Sequence, residues 1–297
     1  MHNNFITFSV IYFDYSIMKE IKAEKITEIV GKLCQESNYS LGPDVVGRLE
    51  NSLLKEESET GKEILKQILN NAEIADKEGI PMCQDTGFTV VFLEIGQQVS
   101  IIGGNIYDAV NEGVRQGYKN GYLRKSIVRD PLRRVNTGDN TPAVVHTKIV
   151  TGNNLKITVV PKGGGSENMS EVKMMAPAVG IQGVEDFVLD KVIRSGGNPC
   201  PPIIVGVGIG GTFELCAFLA KKSLMRIIGS RHPDPFYSDL EKKLLEKINL
   251  SGVGPMGLGG RITALEVFIE VFPCHIASLP VAVNIQCHAA RHKEAVL

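Results

Sequence analysis

The sequence constrains the fold most through three cysteines that lie far apart in the chain, each in a loop-like context. They are Cys83 in Pro81-Met82-Cys83-Gln84-Asp85-Thr86-Gly87, Cys200 in Asn198-Pro199-Cys200-Pro201-Pro202, and Cys287 in Asn284-Ile285-Gln286-Cys287-His288. No local turn could bring them together. If they share one site, the whole fold must therefore converge on it.

A metal cluster is the function that this pattern suggests. Three thiolates on a cubane iron–sulfur cluster leave one iron open to water or substrate oxygens, where it acts as a Lewis acid. The alternative is that each is a small buried hydrophobe, as free cysteines usually are, and spacing alone leaves this open. Cys34 and Cys216, which lie inside apolar helical patterns, are predicted to be core residues of this ordinary kind.

Two other binding sites are compatible with the sequence. Cys274-His275, Cys287-His288 and His292 permit zinc, but their spacing matches no usual zinc motif. The segment Gly206-Val207-Gly208-Ile209-Gly210-Gly211 satisfies the dinucleotide-binding fingerprint between a predicted strand and a predicted helix. No acidic residue follows at the distance needed to hold a ribose, and the same glycines could instead let the backbone approach a cluster or an anion.

Composition limits the class of protein. With 297 residues, 43% of them hydrophobic and 22% charged, the chain can bury a large core as one large or two medium domains. A net charge of −1 without a long Lys/Arg run argues against nucleic acid and anionic membranes as partners. Six cysteines without a credible secretory signal predict a reducing compartment, by default the cytoplasm.

Hydrophobic periodicity predicts an α/β fold in which a helical N-terminal segment is followed by two mixed α/β subdomains. Residues 1–17 are predicted to be a poorly attached extension, residues 18–80 to be helical, and the subdomains to cover about 18–160 and 161–297, with the boundary at Pro161 to Ser166. Further helices are predicted at Ile106–Tyr118, from about Ser170, and at Val184–Arg194, Thr212–Leu224 and Tyr237–Ile248. Strands are predicted at Phe88–Ile95, Val144–Val150, Leu155–Val160, Ile203–Val207, Ile262–Val271 and Val281–Ile285, the second and third paired around the turn Gly152-Asn153-Asn154.

Two polar loops could hold anions. Successive backbone N–H groups of Gly163-Gly164-Gly165-Ser166 could form a nest for a carboxylate, although a plain hairpin exit would have the same composition. Arg124, in the arginine-rich loop Leu123 to Pro142, could bind a carboxylate through two N–H groups. Several arginines in one loop are also typical of a solvated surface.

Five ordered strings together resemble the iron–sulfur class I fumarase and L-tartrate dehydratase family, specifically its α-subunit or N-terminal catalytic domain. The resemblance covers nearly the whole chain from about Met18 onward and identifies residues 18–297 as the catalytic domain. The strings are Pro81-Met82-Cys83-Gln84-Asp85-Thr86-Gly87, Lys162-Gly163-Gly164-Gly165-Ser166-Glu167-Asn168, Cys200-Pro201-Pro202 with Gly208-Ile209-Gly210-Gly211, Gly254-Pro255-Met256-Gly257-Leu258-Gly259-Gly260, and Asn284-Ile285-Gln286-Cys287.

The resemblance implies a [4Fe-4S] cluster with one open iron and three ligands, Cys83, Cys200 and Cys287. It also implies substrate contacts from Gln84, Asp85, Arg124, the backbone of Gly165, and His275. Asp85 and His275 are the implied catalytic residues. Asp85 would accept a hydrogen bond from the substrate hydroxyl or orient it, and His275 would donate to a carboxylate.

The resemblance further implies a partner. Single-chain members carry a second domain with the catalytic base, so we expect a separate β-subunit here, a pair of heterodimers, and no activity of this chain alone. Gly165-Ser166-Glu167-Asn168 and Thr141-Pro142-Ala143 favour the fumarase side of the family, hence (S)-malate and fumarate. L-tartrate dehydration to oxaloacetate is the alternative reaction, and a non-catalytic iron–sulfur redox or iron sensor is the alternative of another class.

Overall fold

The computed structural model describes residues 18–297, so the predicted extension at residues 1–17 lies outside the described residues. The first half contains β1 (Lys19–Lys22), α1 (Ala23–Tyr39), α2 (Pro43–Lys55), α3 (Glu59–Glu78), β2 (Phe88–Gly96), β3 (Val99–Ile102), α4 (Ile106–Asn120), β4 (Val144–Val150) and β5 (Leu155–Lys162). The helical N-terminal segment is confirmed, apart from β1, which pairs in parallel with β3. Among the described helices, none is long and apolar enough to cross a membrane.

The second half contains α5 (Gly164–Glu167), β6 (Glu171–Met175), α6 (Gly180–Ser195), β7 (Ile203–Gly210), α7 (Phe213–Ser223), α8 (Pro235–Asn249), β8 (Ala264–Phe272), β9 (Leu279–Gln286) and β10 (Lys293–Val296). The prediction that helices resume at about Ser170 is wrong, because β6 occupies this segment and pairs antiparallel with β9. Its charged and exposed residues give no strand periodicity, so its conformation depends on the neighbouring strand. The other predicted helices and strands of this half are confirmed to within a few residues.

The first sheet has the strand order β10-β5-β2-β4. Both strands beside the Gly152 turn form as predicted, but they do not pair with each other. Instead β4 runs parallel to β2, and β5 runs antiparallel along its other edge. The central position of β2 follows from its sequence, since Val90 to Leu93 are all buried and a strand buried on both faces belongs inside a sheet.

The second sheet has the strand order β6-β9-β7-β8 and is covered on both faces. On one face, Val205 and Val267 pack with residues of α6 and α8. On the other, Ile204 and Phe268 pack with Leu49 of α2 and residues of α3. Helices α1 and α4 pack against the first sheet. These layers confirm the α/β class, and the N-terminal helices thereby contact both sheets.

The first two glycines of the dinucleotide fingerprint, Gly206 and Gly208, lie within β7 and serve helix packing. A Cβ added at Gly208 would lie 2.0 Å from the carbonyl oxygen of Cys216, and one at Gly206 would lie 2.2 Å from that of Ala220. Helix α7 therefore approaches the strand more closely than any side chain would permit. Cys216 is buried in this packing, and Cys34 is buried against α4, so both are core residues as predicted.

Candidate functional site

The loop that carries the first cysteine is fixed by helices on both sides. The backbone N–H of Met82 donates to the carbonyl of Asn38 at 3.0 Å, and the Asn71 side chain donates to the carbonyl of Met82 at 2.8 Å. Met82 itself is buried, whereas the neighbouring Cys83 is exposed. The N-terminal helices α1 and α3 thus present the Cys83 thiol at the surface of the chain.

The second cysteine lies in a strained turn before β7. Cys200 has a φ of 56°, in the left-handed region that residues other than glycine rarely adopt. Its carbonyl accepts from the backbone N–H of His288 at 3.4 Å and lies 3.0 Å from His288 Nδ1. The segment that carries Cys287 therefore directly holds the turn that carries Cys200.

The three cysteines lie near one another in the structure and are all free thiols. Burial raises the pKa of Cys200, and the negative charges of Cys287, Cys83 and Asp85 raise it further. Burial also raises the pKa of Cys287, while the positive charges of Arg291 and Lys162 oppose this increase. The fold thus brings close enough for electrostatic interaction three thiols that are 117 and 87 positions apart in the sequence.

The three thiols do not form a site for a single ion together with other described side chains. Within residues 18–297, no group of three or more His, Cys, Asp or Glu side chains could hold a single metal ion. A cubane cluster spreads its thiolate ligands over separate irons, so its ligands lie further apart. The residues present therefore fit a cluster and give no support to zinc. Cys274, part of the zinc alternative, instead donates from its thiol to the carbonyl of Ser278 at 3.2 Å.

Asp85 connects the first cysteine loop to the glycine loop. Its carboxylate accepts from the N–H of Gly87 at 3.0 Å and from the N–H of Gly164 at 2.8 Å. A Cβ at Gly163 would lie 3.2 Å from the same carboxylate, so the glycine permits this approach. One N–H of the predicted carboxylate nest, that of Gly164, therefore binds a carboxylate of the protein itself. This N–H group holds Asp85 in place.

A cavity of about 750 Å³ opens beside Asp85. Its charged lining residues are Asp85, Arg124, Lys162, Glu167, Glu214 and Lys221. Arg124 is tied to the first cysteine loop, because its carbonyl accepts from Thr86 Oγ1 at 2.9 Å. The arrangement offers three cationic groups for a small dianion at a cavity whose lining includes Asp85, two residues after Cys83.

The remaining predicted site residues are placed differently. Gln84 and Gly165 are exposed, and each is adjacent in sequence to a residue that lines the cavity, Asp85 and Gly164 respectively. His275 lies in an exposed turn between β8 and β9, where its Nδ1 accepts from the N–H of Ala277 at 3.1 Å. It is not among the residues that line the cavity.

Sequence reasoning missed a buried group of charges at the cavity wall. Lys162 Nζ donates to Ser166 Oγ at 2.7 Å and to the carbonyl of Ile285 at 2.8 Å, and lies 3.4 Å from Glu167. Burial lowers the pKa of Lys162 to about 8, although Glu167 acts in the opposite direction. Glu167 also pairs with Lys221 at 2.5 Å. The sequence signal that could have identified Lys162 is its position at the end of an apolar strand and directly before three glycines.

Comparison with known proteins decides the family. The family described as fumarate hydratase (Fumerase) matches residues 27–296. The chain belongs to the fumarate hydratase family. Within this family of hydro-lyases, a putative L(+)-tartrate dehydratase subunit alpha of Methanocaldococcus jannaschii is 46% identical over 273 residues, which cover 90% of this chain and 95% of that protein. The L(+)-tartrate dehydratase subunit alpha of Escherichia coli strain K12 is 34% identical over 277 residues, which cover 92% of this chain and 91% of that protein.

In this fumarate hydratase family member, the glycine-rich string at 254–260 supports the second cysteine. The N–H of Met256 donates to the carbonyl of Pro201 at 2.9 Å. The string is held in turn by Glu56, which follows α2 and whose carboxylate accepts from the N–H groups of Arg261 at 2.9 Å and Ile262 at 2.7 Å.

Proposed function

We propose that this chain is the α-subunit of a [4Fe-4S] hydro-lyase that reversibly removes water from a 2-hydroxy dicarboxylate. The observation that supports this most is the convergence of Cys83, Cys200 and Cys287 near Asp85. Asp85 also lines a cavity to which Arg124, Lys162 and Lys221 contribute positive charge. Membership of a hydro-lyase family gives the reaction class. The cytoplasm, with its reducing conditions, is the proposed compartment.

The three cysteine thiolates would hold the cluster, and Arg291 and Lys162 would supply positive charge beside it. When bound, the cluster would supply a Lewis acid that stabilises the departing hydroxide. The fixed backbone around Cys83 and Cys200 supports this assignment, since a ligand set gathered from distant segments needs each loop to be anchored independently.

The other site residues would bind and orient the dicarboxylate. Arg124 would bind one carboxylate through paired N–H groups, with Gln84 and the backbone of Gly165 as neighbouring contacts. Asp85, whose carboxylate is held by two backbone N–H groups, would accept a hydrogen bond from the substrate hydroxyl. His275 would donate to a carboxylate.

The catalytic base is proposed to come from a β-subunit, in a complex of two heterodimers. The names of both relatives contain "subunit alpha", which supports a separate partner chain. Cationic groups for one end of a dianion lie at the cavity of this chain, and the partner would complete the site and the activity.

(S)-malate, interconverted with fumarate, is the substrate that we propose first, on the basis of the strings at 141–143 and 165–168. L(+)-tartrate is the second candidate, because the relatives from M. jannaschii and E. coli are both named for tartrate dehydration. The two substrates differ by one hydroxyl group, and a site that pairs this hydroxyl discriminates strongly against the analogue that lacks it.

Anaerobic assay of this chain, alone and co-purified with its partner, tests the proposal with both substrates side by side. We expect iron and sulfide in the protein, turnover only with the partner, and a higher kcat/KM for (S)-malate. Preference for tartrate would establish the second candidate. Full turnover by this chain alone would refute the assignment of the base to a partner.

Substitution of Arg124 distinguishes an enzyme from an iron–sulfur sensor. In an enzyme, Arg124→Ala is expected to lower kcat/KM by about a hundredfold or more, as loss of one donor to a developing anion does, with the cluster absorbance unchanged. Arg129→Ala is the matched control, because Arg129 lies in the same exposed loop but does not line the cavity. Equal rates for wild type and Arg124→Ala would contradict the proposed substrate site.

A further inference from the structure

Arg291 is a buried guanidinium that no carboxylate of the described residues pairs with. The residue is only 3% exposed. Nη2 donates to the carbonyl of Asp85, whereas Nε and Nη1 are buried and find no hydrogen-bond partner in the part of the chain that the structure describes. Across residues 18–297, no Asp or Glu side chain lies within ion-pair distance of it.

Such an arrangement is unfavourable unless something else pairs with the charge. Buried charged groups in proteins are normally paired, and a buried donor without an acceptor destabilises the folded state. The buried carboxylates of α6, α8 and β8 follow the rule. Glu266 of β8, for example, accepts from both Arg48 at 2.6 Å and Arg231 at 2.7 Å. Arg291 therefore indicates an anionic acceptor that residues 18–297 do not provide.

The position of Arg291 identifies the chemistry of that acceptor. Through Asp85 it contacts the loop that carries Cys83, and its charge acts on the thiol of Cys287. The unpaired donors thus lie in the region where the three thiols converge. A cluster with three thiolates and its own sulfides is anionic and offers sulfur acceptors there.

We propose that Arg291 is the cationic counterpart of the cluster, with its Nε–H and Nη1–H groups donating to thiolate or sulfide sulfur. The proposal rests on the proposed function, which supplies the cluster. Arg291 is thereby a positioning residue: it retains the cluster and holds the backbone of Asp85 against it. Sequence patterns did not single it out.

The test uses the full chain with its cluster reconstituted anaerobically and then challenged with a ferrous-iron chelator. The readouts are iron and sulfide per chain and the half-life of the cluster absorbance, with no turnover required. Arg291→Met removes charge and donors, and Arg291→Lys keeps only the charge. Arg231→Met is the matched control, because its partner Glu266 keeps Arg48.

We expect the cluster half-life to shorten at least about tenfold in Arg291→Met and by a smaller factor in Arg291→Lys, with Arg231→Met close to wild type. A second readout is the melting temperature without the cluster. Without the cluster, Arg291→Met should melt at the same temperature as wild type or at a higher one, because the substitution removes an unpaired buried charge. A purely structural arginine would instead lower the melting temperature of both forms equally.

Each outcome decides the matter. A wild-type half-life in Arg291→Met, or equal destabilisation with and without the cluster, overturns the role of Arg291. If Arg291→Met does not fold, Arg291→Lys decides in its place, and a wild-type half-life overturns the proposal. If wild type itself takes up no iron and sulfide, the proposed function fails, and the proposal for Arg291 fails with it.

Discussion

Lys162 provides the sharpest test of the electrostatics of the cavity wall. Its ammonium group is buried, and burial lowers its pKa from the usual 10.5 to about 8. Replacement by methionine removes this titration but leaves Glu167 paired, because Lys221 at 2.5 Å and Asn284 at 3.1 Å remain. The substitution therefore isolates one buried charge from its neighbours.

The sign of the effect follows from proton linkage. Between a folded-state pKa of about 8 and an unfolded-state pKa of 10.5, the unfolded chain binds more protons than the folded one. The contribution of Lys162 to the free energy of unfolding therefore rises with pH in this window. One pKa unit corresponds to about 1.36 kcal/mol, so from pH 7 to about pH 9.5 wild type should gain about 2 kcal/mol relative to Lys162→Met.

Urea unfolding of the metal-free chain at both pH values measures this difference. Both proteins carry Cys287→Ala, because the charge of Lys162 acts on the pKa of this thiol and its titration would otherwise differ between wild type and variant. Lys156→Met is the control on the same strand, since its ion pair with Glu294 is partly exposed and its removal should not change the pH dependence. Parallel stability curves for wild type and Lys162→Met over this range would refute the reasoning.

Two further predictions concern the frame around the site. Burial acts to raise the pKa of Asp139, but hydrogen bonds from Thr141 and Arg115 outweigh burial and lower this pKa to about 2. Because solvent screens this partly exposed carboxylate, Asp139→Asn should lower the free energy of unfolding by only about 1 kcal/mol at pH 7, and this difference should shrink below about pH 4, in acid titrations of urea unfolding. Gly208→Ala should cost roughly 3 kcal/mol, because its Cβ would meet the carbonyl of Cys216, whereas Gly47→Ala, which meets nothing, should be neutral or stabilising in thermal unfolding.

The fold could be predicted where local composition and burial agree. The apolar runs at 88–95 and 203–207 form β2 and β7, and capping signals such as Gly79 after α3 end the helices near the predicted positions. The sequence pattern of a strand does not indicate which other strand it pairs with. Strand β6, with Lys173 and Met174 exposed, exists because β9 offers it hydrogen bonds, and β4 and β5 are separated by β2 for the same non-local reason. The division into subdomains at 161–166 stays a prediction.

The candidate site could be predicted where the residue types in a motif by themselves indicate a chemical function. Cysteines in Gly/Pro contexts pointed to Cys83, Cys200 and Cys287, and the fold brings them together. Lys162 and Arg291 were missed because a basic residue in sequence is by default a solvated surface group. Their importance depends on burial and on the absence of a partner, which are properties of the folded chain.

Strand β10 has a consequence for how the protein is made. It covers the outer edge of β5, pairing Lys293 with Val159 and Val296 with Lys156, although nearly half of the chain lies between the two strands in sequence. A polypeptide emerges from the ribosome N-terminal end first, so this edge stays open until residues 293–296 have been synthesised. Cys287 and Arg291 directly precede β10 and are synthesised just before it. Under the proposed function, a cluster held by Cys83, Cys200 and Cys287 can therefore be completed only at the stage of synthesis at which β10 closes the sheet.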